Sequence, residues 1–413
     1  MNYTLNKQDY KITGIDNGDV VAYLGIRFAT AKRFEKPLLY PLRKELSALK
    51  PGDACPQERQ FFDESKSKGK MDIFYYREFR EGMNFTYSED CLNLNLFAPK
   101  SGDKLPVVIN IHGGGFSTCS SDERPFDGSE LAQEGVICVC PNYRHNVFGY
   151  NALEGGQNLA FYDMICAIKW VKENIAVFGG DPDNITLMGQ SAGAISIQNL
   201  VLLPEIKSLV KGAIMLSGGA SVRGIFAPKS LWLSKRFFLR VRKELAKQGK
   251  TPQNASYEEL FLAWCKHKRK DFALSMLGTM PVFDGEIVKK DLYKSAYKDK
   301  QIPCIVSVTK DDLLEGYLHK IAAKMRKKSE KTGSKTWELH FYHDLPGDDM
   351  GAWHSADLWY IFGLKQHPWR VWQDRDVEVS TELKKRFCEF ARTQNPNPQG
   401  YEKWEPWQVL EIR

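Results

Sequence analysis

The sequence predicts an α/β fold, with one large, mostly parallel sheet covered by helices on both faces. Three observations carry that prediction. Apolar runs of strand length recur at 105–111, 136–140 and 304–308, as expected of strands buried on both faces. Helical periodicity fills the intervals, most clearly at 158–177, where Phe161, Met164, Ile165, Ile168, Val171 and Ile175 recur at three- and four-residue steps. No repeat, low-complexity tract or Pro/Gly/Ser-rich linker interrupts the order, so residues 1–413 read as one domain.

The elements follow in chain order. Short alternating segments at 11–15 and 20–24 have the pattern of a hairpin. The run 105–111 ends at His112-Gly113-Gly114-Gly115 and reads as a buried strand entering a loop. A second such strand is expected at 136–140, then the long helix. Gly179-Gly180-Asp181-Pro182 breaks that helix, and 185–188 is again a strand. A helix from Ala192 to about Leu203 and a strand at 213–216 come next. A basic, largely helical stretch follows, with a cap-like region at about 219–283. Strands at 304–308 and 337–342 and a last helix near 381–392 complete the order.

Composition narrows the function. Hydrophobic residues make up 43% and charged residues 26% of the chain, which excludes collagen-like, disordered and disulfide-scaffold proteins. No apolar run reaches the ~18 residues of a membrane span, and the first residues lack a basic segment followed by an apolar one. A cytoplasmic protein with no membrane partner is therefore expected. The net charge of +7 is mild for 413 residues. It concentrates at 229–250, 266–270 and 320–331, where interleaved apolar residues such as Phe237, Phe238, Val241 and Leu245 indicate solvated helix faces. No nucleic-acid partner is expected. Nine cysteines form no C-x-x-C pair and no zinc-spaced cluster, so neither metal nor cofactor is expected. The four sequons, at Asn2, Asn84, Asn184 and Asn254, read as chance matches.

The sharpest chemical signal is Gly189-Gln190-Ser191-Ala192-Gly193. A predicted strand enters this motif and a predicted helix leaves it, the strand–turn–helix that a nucleophile elbow requires. Small flanking residues let the backbone bend and lift the Ser191 hydroxyl, and the helix N-terminus favours negative charge beside it. An ordinary capping serine is the plainer alternative. A serine nucleophile also needs an oxyanion site. The loop His112-Gly113-Gly114-Gly115-Phe116 follows a strand upstream of the elbow, where the rest of such a site belongs. A phosphate-cradling loop is disfavoured, because no Gly-Lys-Ser/Thr follows.

The chain resembles the type-B carboxylesterases, the cholinesterase-like branch of the α/β-hydrolase superfamily, and within them a short, bacterial-type member. The resemblance rests on Gly25-Ile26-Arg27-Phe28-Ala29, Ser88-Glu89-Asp90-Cys91-Leu92-Asn93-Leu94-Asn95, the glycine loop and the elbow. Asn142-Tyr143-Arg144, Asn174-Ile175, Phe178-Gly179-Gly180-Asp181-Pro182, Phe390-Ala391, Asn395-Pro396-Asn397 and Trp404 extend it over nearly the whole chain. It implies an α/β-hydrolase fold and a serine carboxylesterase acting on small-molecule esters. Ser191 would be the nucleophile, and the N–H groups of Gly114, Gly115 and Ala192 the oxyanion donors.

In this fold the triad runs Ser, then acid, then His. His319, His340, His343, His354 and His367 all lie beyond the serine. His354, in Gly351-Ala352-Trp353-His354, stands in a loop after a strand and matches the family's catalytic position. The resemblance places the acid at Asp312, with Asp311 and Glu315 as alternatives, and a supporting serine at Ser217. Phe116 and Trp353 are candidate pocket walls, although packing would equally account for them. Gln190 stands where the family usually has glutamate, and Asp312 likewise. The acid-to-histidine segment is only 42 residues long, shorter than in larger relatives. The family also implies that Arg33 pairs with Glu89 and Arg144 with Asp163, and that Cys55 lies near Cys91, reduced if the protein is not exported. Two other readings stand beside the esterase. One is an acyl hydrolase of amides, carbamates or lactones, the other a catalytically silent interaction protein.

Overall fold

A computed structural model describes residues 1–62, 64–66, 70–153, 155–218, 227–268, 278–295, 300–314, 316–365, 367 and 369–413. The first strands are β1 (Asn2–Lys7), β2 (Tyr10–Asn17) and β3 (Val20–Arg27), with the short β4 (Ala29–Thr30), β5 (Leu38–Leu39) and β6 (Glu45–Ser47). Next come β7 (Asn93–Pro99), β8 (Leu105–Ile111), β9 (Ile137–Pro141), β10 (Gly180–Gln190) and β11 (Gly212–Leu216). The remainder are the short β12 (Lys229–Ser230) and β13 (Val282–Phe283), then β14 (Cys304–Thr309), β15 (Thr336–Phe341) and β16 (Val409–Ile412).

Twelve of these strands form one sheet in the order β1-β2-β3-β7-β9-β8-β10-β11-β14-β15-β16, with β6 beside β2. The N-terminal strands pair antiparallel as far as β7 with β9. From β9 onward every neighbour is parallel. Alternate residues of the central strands enter two separate apolar cores. Ile109, Ile111, Ile185 and Leu187 join the core built with helices Leu159–Asn174 and Ala192–Leu200. Val108, Met188, Ile214 and Ile305 face the core built with helix Asp374–Thr393. Burial on both faces is what turns the alternation expected of a strand into a continuous apolar run.

Several boundaries differ from the sequence expectation. The last helix begins at Asp374, because Gln373 and Asp376 cap each other's backbone N–H groups and sustain a polar first turn with little apolar periodicity. Strands β1, β7 and β16 and helix Lys70–Phe79 are additional to the elements expected from the sequence. Of the stretch 219–283, residues 219–226 and 269–277 lie outside the described residues. The rest holds helices Leu231–Ala246 and Tyr257–Lys268, which bury Phe237, Val241, Leu260 and Trp264 in one cluster with Phe34 and Phe148.

Both family-derived ion pairs form. Asp163 Oδ2 accepts from the Arg144 backbone N–H at 3.0 Å and from Nε at 2.9 Å, while Oδ1 accepts from Nη2 at 2.7 Å. Arg33 grips Glu89 in the same bidentate way and donates to the carbonyls of Pro252 and Ala255. Cys55 and Cys91 are free, share one buried cluster and perturb each other's ionisation.

The two ion pairs differ in exposure, and this separates their energetics. The Asp163 side chain is fully buried, whereas that of Glu89 is 27% exposed. Halving a buried pair costs about 3–5 kcal/mol, and a screened pair is worth up to about 1 kcal/mol. Asp163→Asn should therefore lower the unfolding free energy in urea several-fold more than Glu89→Gln. Equal losses from the two variants would contradict this account.

Candidate active site

The elbow lies where β10 ends and helix Ala192–Leu200 begins. Ser191 takes φ 55° and ψ −119°, a strained conformation for a non-glycine residue. Its N–H donates to the Leu216 carbonyl on β11 at 2.8 Å, and its carbonyl accepts from Ile195 at 3.0 Å. Both glycines of the motif are needed by close approach to β8. A Cβ on Gly193 would fall 2.0 Å from the Ile111 carbonyl oxygen, and one on Gly189 would fall 2.7 Å from it.

The glycine loop leaves the end of β8 beside the elbow. Gly114 adopts φ 93° and Gly115 φ 60°, so the chain turns sharply. The Gly114 carbonyl accepts from Ser117 and Thr118, both at 3.1 Å. Among the described residues, no backbone acceptor takes the N–H of Gly114 or Gly115, and Ala192 opens a helix, where first-turn N–H groups have no intrahelical partner. The loop is held from behind. The Tyr143 hydroxyl donates to the His112 carbonyl at 2.9 Å, and its ring stacks on the His112 imidazole at 4.3 Å. Burial, reinforced by His145, lowers the His112 pKa to about 3, so this histidine is a neutral packing group.

His354 reaches the site from the loop after β15. Its Nδ1 lies 2.5 Å from Asp312 Oδ1. The Asp312 carboxylate also accepts the N–H groups of Thr309 at 3.1 Å and Leu313 at 2.8 Å. Burial, the largest single influence, pushes its pKa up, but His354, Ser217 and the Thr309 N–H together hold the carboxyl below its ordinary value. Ser217 Oγ adds to that stabilisation without closing a hydrogen bond of good geometry. The neighbouring acid plays a different part. Asp311 is exposed and binds the backbone of the histidine loop, its Oδ2 accepting from Ala352 N at 3.1 Å. Glu315 lies outside the described residues.

Of the other histidines beyond the serine, His319 packs edge-on to the His340 ring at 5.0 Å, and three lie beside carboxylates. Nε2 of His340 lies 2.9 Å from Glu338, that of His343 2.8 Å from Asp376, and that of His367 3.2 Å from Glu78. Phe116 and Trp353 are 1% and 2% exposed. Phe116 packs edge-on to Tyr150, and Trp353 packs among Phe74, Tyr75 and Phe79. Both rings are thus in the core.

Gln190, a candidate neighbour of the site from the sequence, and two residues without a sequence signal of that kind complete the surroundings of His354. The Gln190 amide Nε2 lies 3.1 Å from His354 Nε2 and donates to it when that nitrogen is unprotonated. The Tyr75 hydroxyl, on helix Lys70–Phe79, donates to the His354 carbonyl at 3.0 Å. Asp357, three residues past His354, is fully buried, with Ser307 Oγ 3.4 Å from Oδ2 and, among the described residues, no partner for Oδ1. Burial, followed by the charge of Asp312, raises the Asp357 pKa to about 7. The spacing His354-x-x-Asp357 was the one available signal for this buried acid. Among the described residues, no cluster of side chains could hold a metal ion, and no helix is long and apolar enough to cross a membrane.

Comparison with known proteins agrees with this geometry. The carboxylesterase family model matches residues 7–331 and 317–412. Over 222 residues the chain is 38% identical to the para-nitrobenzyl esterase of Bacillus subtilis, a match covering 51% of this chain and 42% of that protein. It is 47% identical over 142 residues to carboxylesterase 5A of Mus musculus, covering 33% and 24%. These matches thus span less than half of each curated relative. Among solved structures, a PNB esterase superposes with a TM-score of 0.78 at 25% identity, covering 97% of this chain and 92% of that one. With a family model matched over most of its length and a fold shared with the PNB esterases, the chain belongs to the carboxylesterase family.

Proposed function

We propose that this chain is a serine carboxylesterase, hydrolysing small-molecule carboxylic esters to acid and alcohol through an acyl-enzyme on Ser191. The reading rests chiefly on one observation. A buried His354–Asp312 pair reaches Gln190, the residue before the elbow serine, with His354 Nε2 3.1 Å from the Gln190 amide. In the reaction, Ser191 Oγ attacks the ester carbonyl as His354 Nε2 takes its proton. The N–H groups of Gly114, Gly115 and Ala192 hold the oxyanion, and the imidazolium returns the proton to the leaving alcohol. Water then discharges the acyl group through the same histidine. Asp312 fixes the tautomer and stabilises the imidazolium.

Gln190 sets the resting state. Its amide is donor to Nε2, so it yields that nitrogen when Ser191 is engaged. Asp357, kept protonated to about pH 7 by burial, leaves Asp312 as the ionised partner of the histidine. The domain assignment forms part of the same reading: a single α/β-hydrolase domain, with the helices of 219–283 as a cap. So does a cytoplasmic location, since the cysteines are all free and buried, as a reducing compartment maintains.

Ser191→Ala and His354→Ala should each lower kcat/KM for p-nitrophenyl acetate by about 10⁴-fold or more. Asp312→Asn should cause the one large fall in a set with Asp311→Asn and Glu315→Gln. Near-normal turnover of His354→Ala would refute the triad. Substrate length gives a second test. The short acid-to-histidine segment leaves less chain to wall a deep gorge, and each acyl methylene gains about 0.8 kcal/mol only while wall remains. Rates from acetate to palmitate should therefore peak at short or medium esters, with no jump at the micellar threshold. A maximum at palmitate contradicts this. Asp357 yields a pH test. A carboxyl whose pKa is higher in the folded than in the unfolded state loses stability as pH rises from about 4 to about 7. Asp357→Asn should gain on the wild type across that window, by up to roughly 4 kcal/mol, as read from urea unfolding at either end. An equal difference at both ends would mean that Asp357 is not buried as a neutral acid.

A further inference from the structure

The stretch 229–250 carries eight basic residues and one acid, a local excess equal to the net +7 of the whole chain. Burial divides helix Leu231–Ala246 sharply. Ser234, Phe237, Phe238, Val241 and Leu245 face inward. The outward face is not a plain solvated one, however. Trp232 is 61% exposed and Leu239 43%, and they alternate at helical spacing with Arg236, Arg240 and Lys243. Leu262, 53% exposed on the packed neighbouring helix, lies one turn before Lys266, which bridges back to Glu244. The same apolar-and-basic composition thus continues across both helices.

Most cations of this face lack an acidic partner among the described residues. Glu244, the helix's sole acid, is engaged by Lys247 and Lys266. Arg236 has only the Trp232 ring, 4.8 Å away, and neither Arg240 nor Lys243 has an acidic partner among the described residues. Like charges stacked at i and i+4 oppose the helix that carries them, so an external polyanion would relieve them. Exposed tryptophan and leucine beside arginine and lysine suit a bilayer surface. There the apolar rings enter the headgroup boundary while the cations meet lipid phosphates. A nucleic acid fits less well, because leucine offers no face on which bases can stack.

We infer that the outward face of helix Leu231–Ala246 docks this protein peripherally on an anionic lipid surface. This revises the expectation of no membrane partner and is independent of the esterase assignment. The test is sedimentation of the full chain with phosphatidylcholine vesicles, with or without about one-third phosphatidylglycerol. Binding is expected only to the anionic vesicles, weakening at high salt. Arg236→Gln with Arg240→Gln should lower the partition coefficient about thirtyfold, and Trp232→Ser about tenfold, with the melting temperature and turnover of a soluble ester unchanged. The proposal is overturned by equal binding to both kinds of vesicle, by no binding to either, or by undiminished binding of the double variant. Tighter binding to a single-stranded oligonucleotide than to the anionic vesicles would assign the face to nucleic acid and overturn it equally.

Discussion

The site depends on how closely the elbow helix approaches the end of strand β8. Gly189 and Gly193 bring the backbone of the nucleophile motif against the Ile111 carbonyl, an approach that leaves no room for a Cβ at either position. The same strand then runs directly into the glycine loop. One contact therefore fixes two things together: where the serine stands and where the loop N–H groups point. Donors supplied by backbone on packed elements need no reorganisation when charge develops, and such preorganisation is usually the largest electrostatic contribution to catalysis. The strained φ of Ser191 is tolerated because β11 and the helix each hold one side of its peptide.

The histidine side of the site is built differently. His354 lies on a loop, so its position must be imposed by neighbours. Asp312 holds one ring nitrogen, Tyr75 the carbonyl, and Asp311 the preceding backbone. Trp353 anchors the loop among the aromatic rings of helix Lys70–Phe79. That helix is itself fixed by Glu78, which Arg370 grips from the far side of the loop with Nε at 2.9 Å and Nη2 at 2.5 Å, in full burial. A buried charge pair is weak evidence of net stability, and removing one partner is what becomes costly. Here it ties the C-terminal region to the helix that aims the base.

What the sequence could reveal follows from this division. The elbow and glycine loop are local motifs whose geometry is carried by small residues, so their spacing, read with the strand and helix around them, marks them in the sequence. The choice of Asp312 over Asp311 was harder, because adjacent acids differ only in which way the chain presents them. The bridge between Asp311 and Trp353 turns one acid to the backbone and leaves the other facing the imidazole. Tyr75 and Glu78 were invisible for a different reason. Their roles depend on contacts with residues almost 300 positions away, and nothing in their own neighbourhood marks them. Helix Leu231–Ala246 was legible as amphipathic, but its outward tryptophan and leucine appeared only when burial separated the two faces.

The charge balance around the serine extends the same physical logic. In the transition state of the proposed mechanism the oxyanion is negative, the imidazolium positive and Asp312 negative. Any further ionised carboxylate nearby would oppose the oxyanion while overstabilising the imidazolium, holding the proton that the leaving group needs. Two positions could have supplied one, and neither does so below about pH 7. Position 190 carries an amide, and Asp357 is pushed up to about 7 by burial and by the charge of Asp312 itself. The neutral amide also does what a carboxylate cannot, donating to an unprotonated His354 Nε2. Removal of negative charge at position 190 therefore leaves a site whose field is set by one carboxylate and a ring of backbone N–H groups. On the proposed mechanism, such a field would offer a cationic substrate no special attraction and would favour neutral esters, whose only developing charge is the oxyanion.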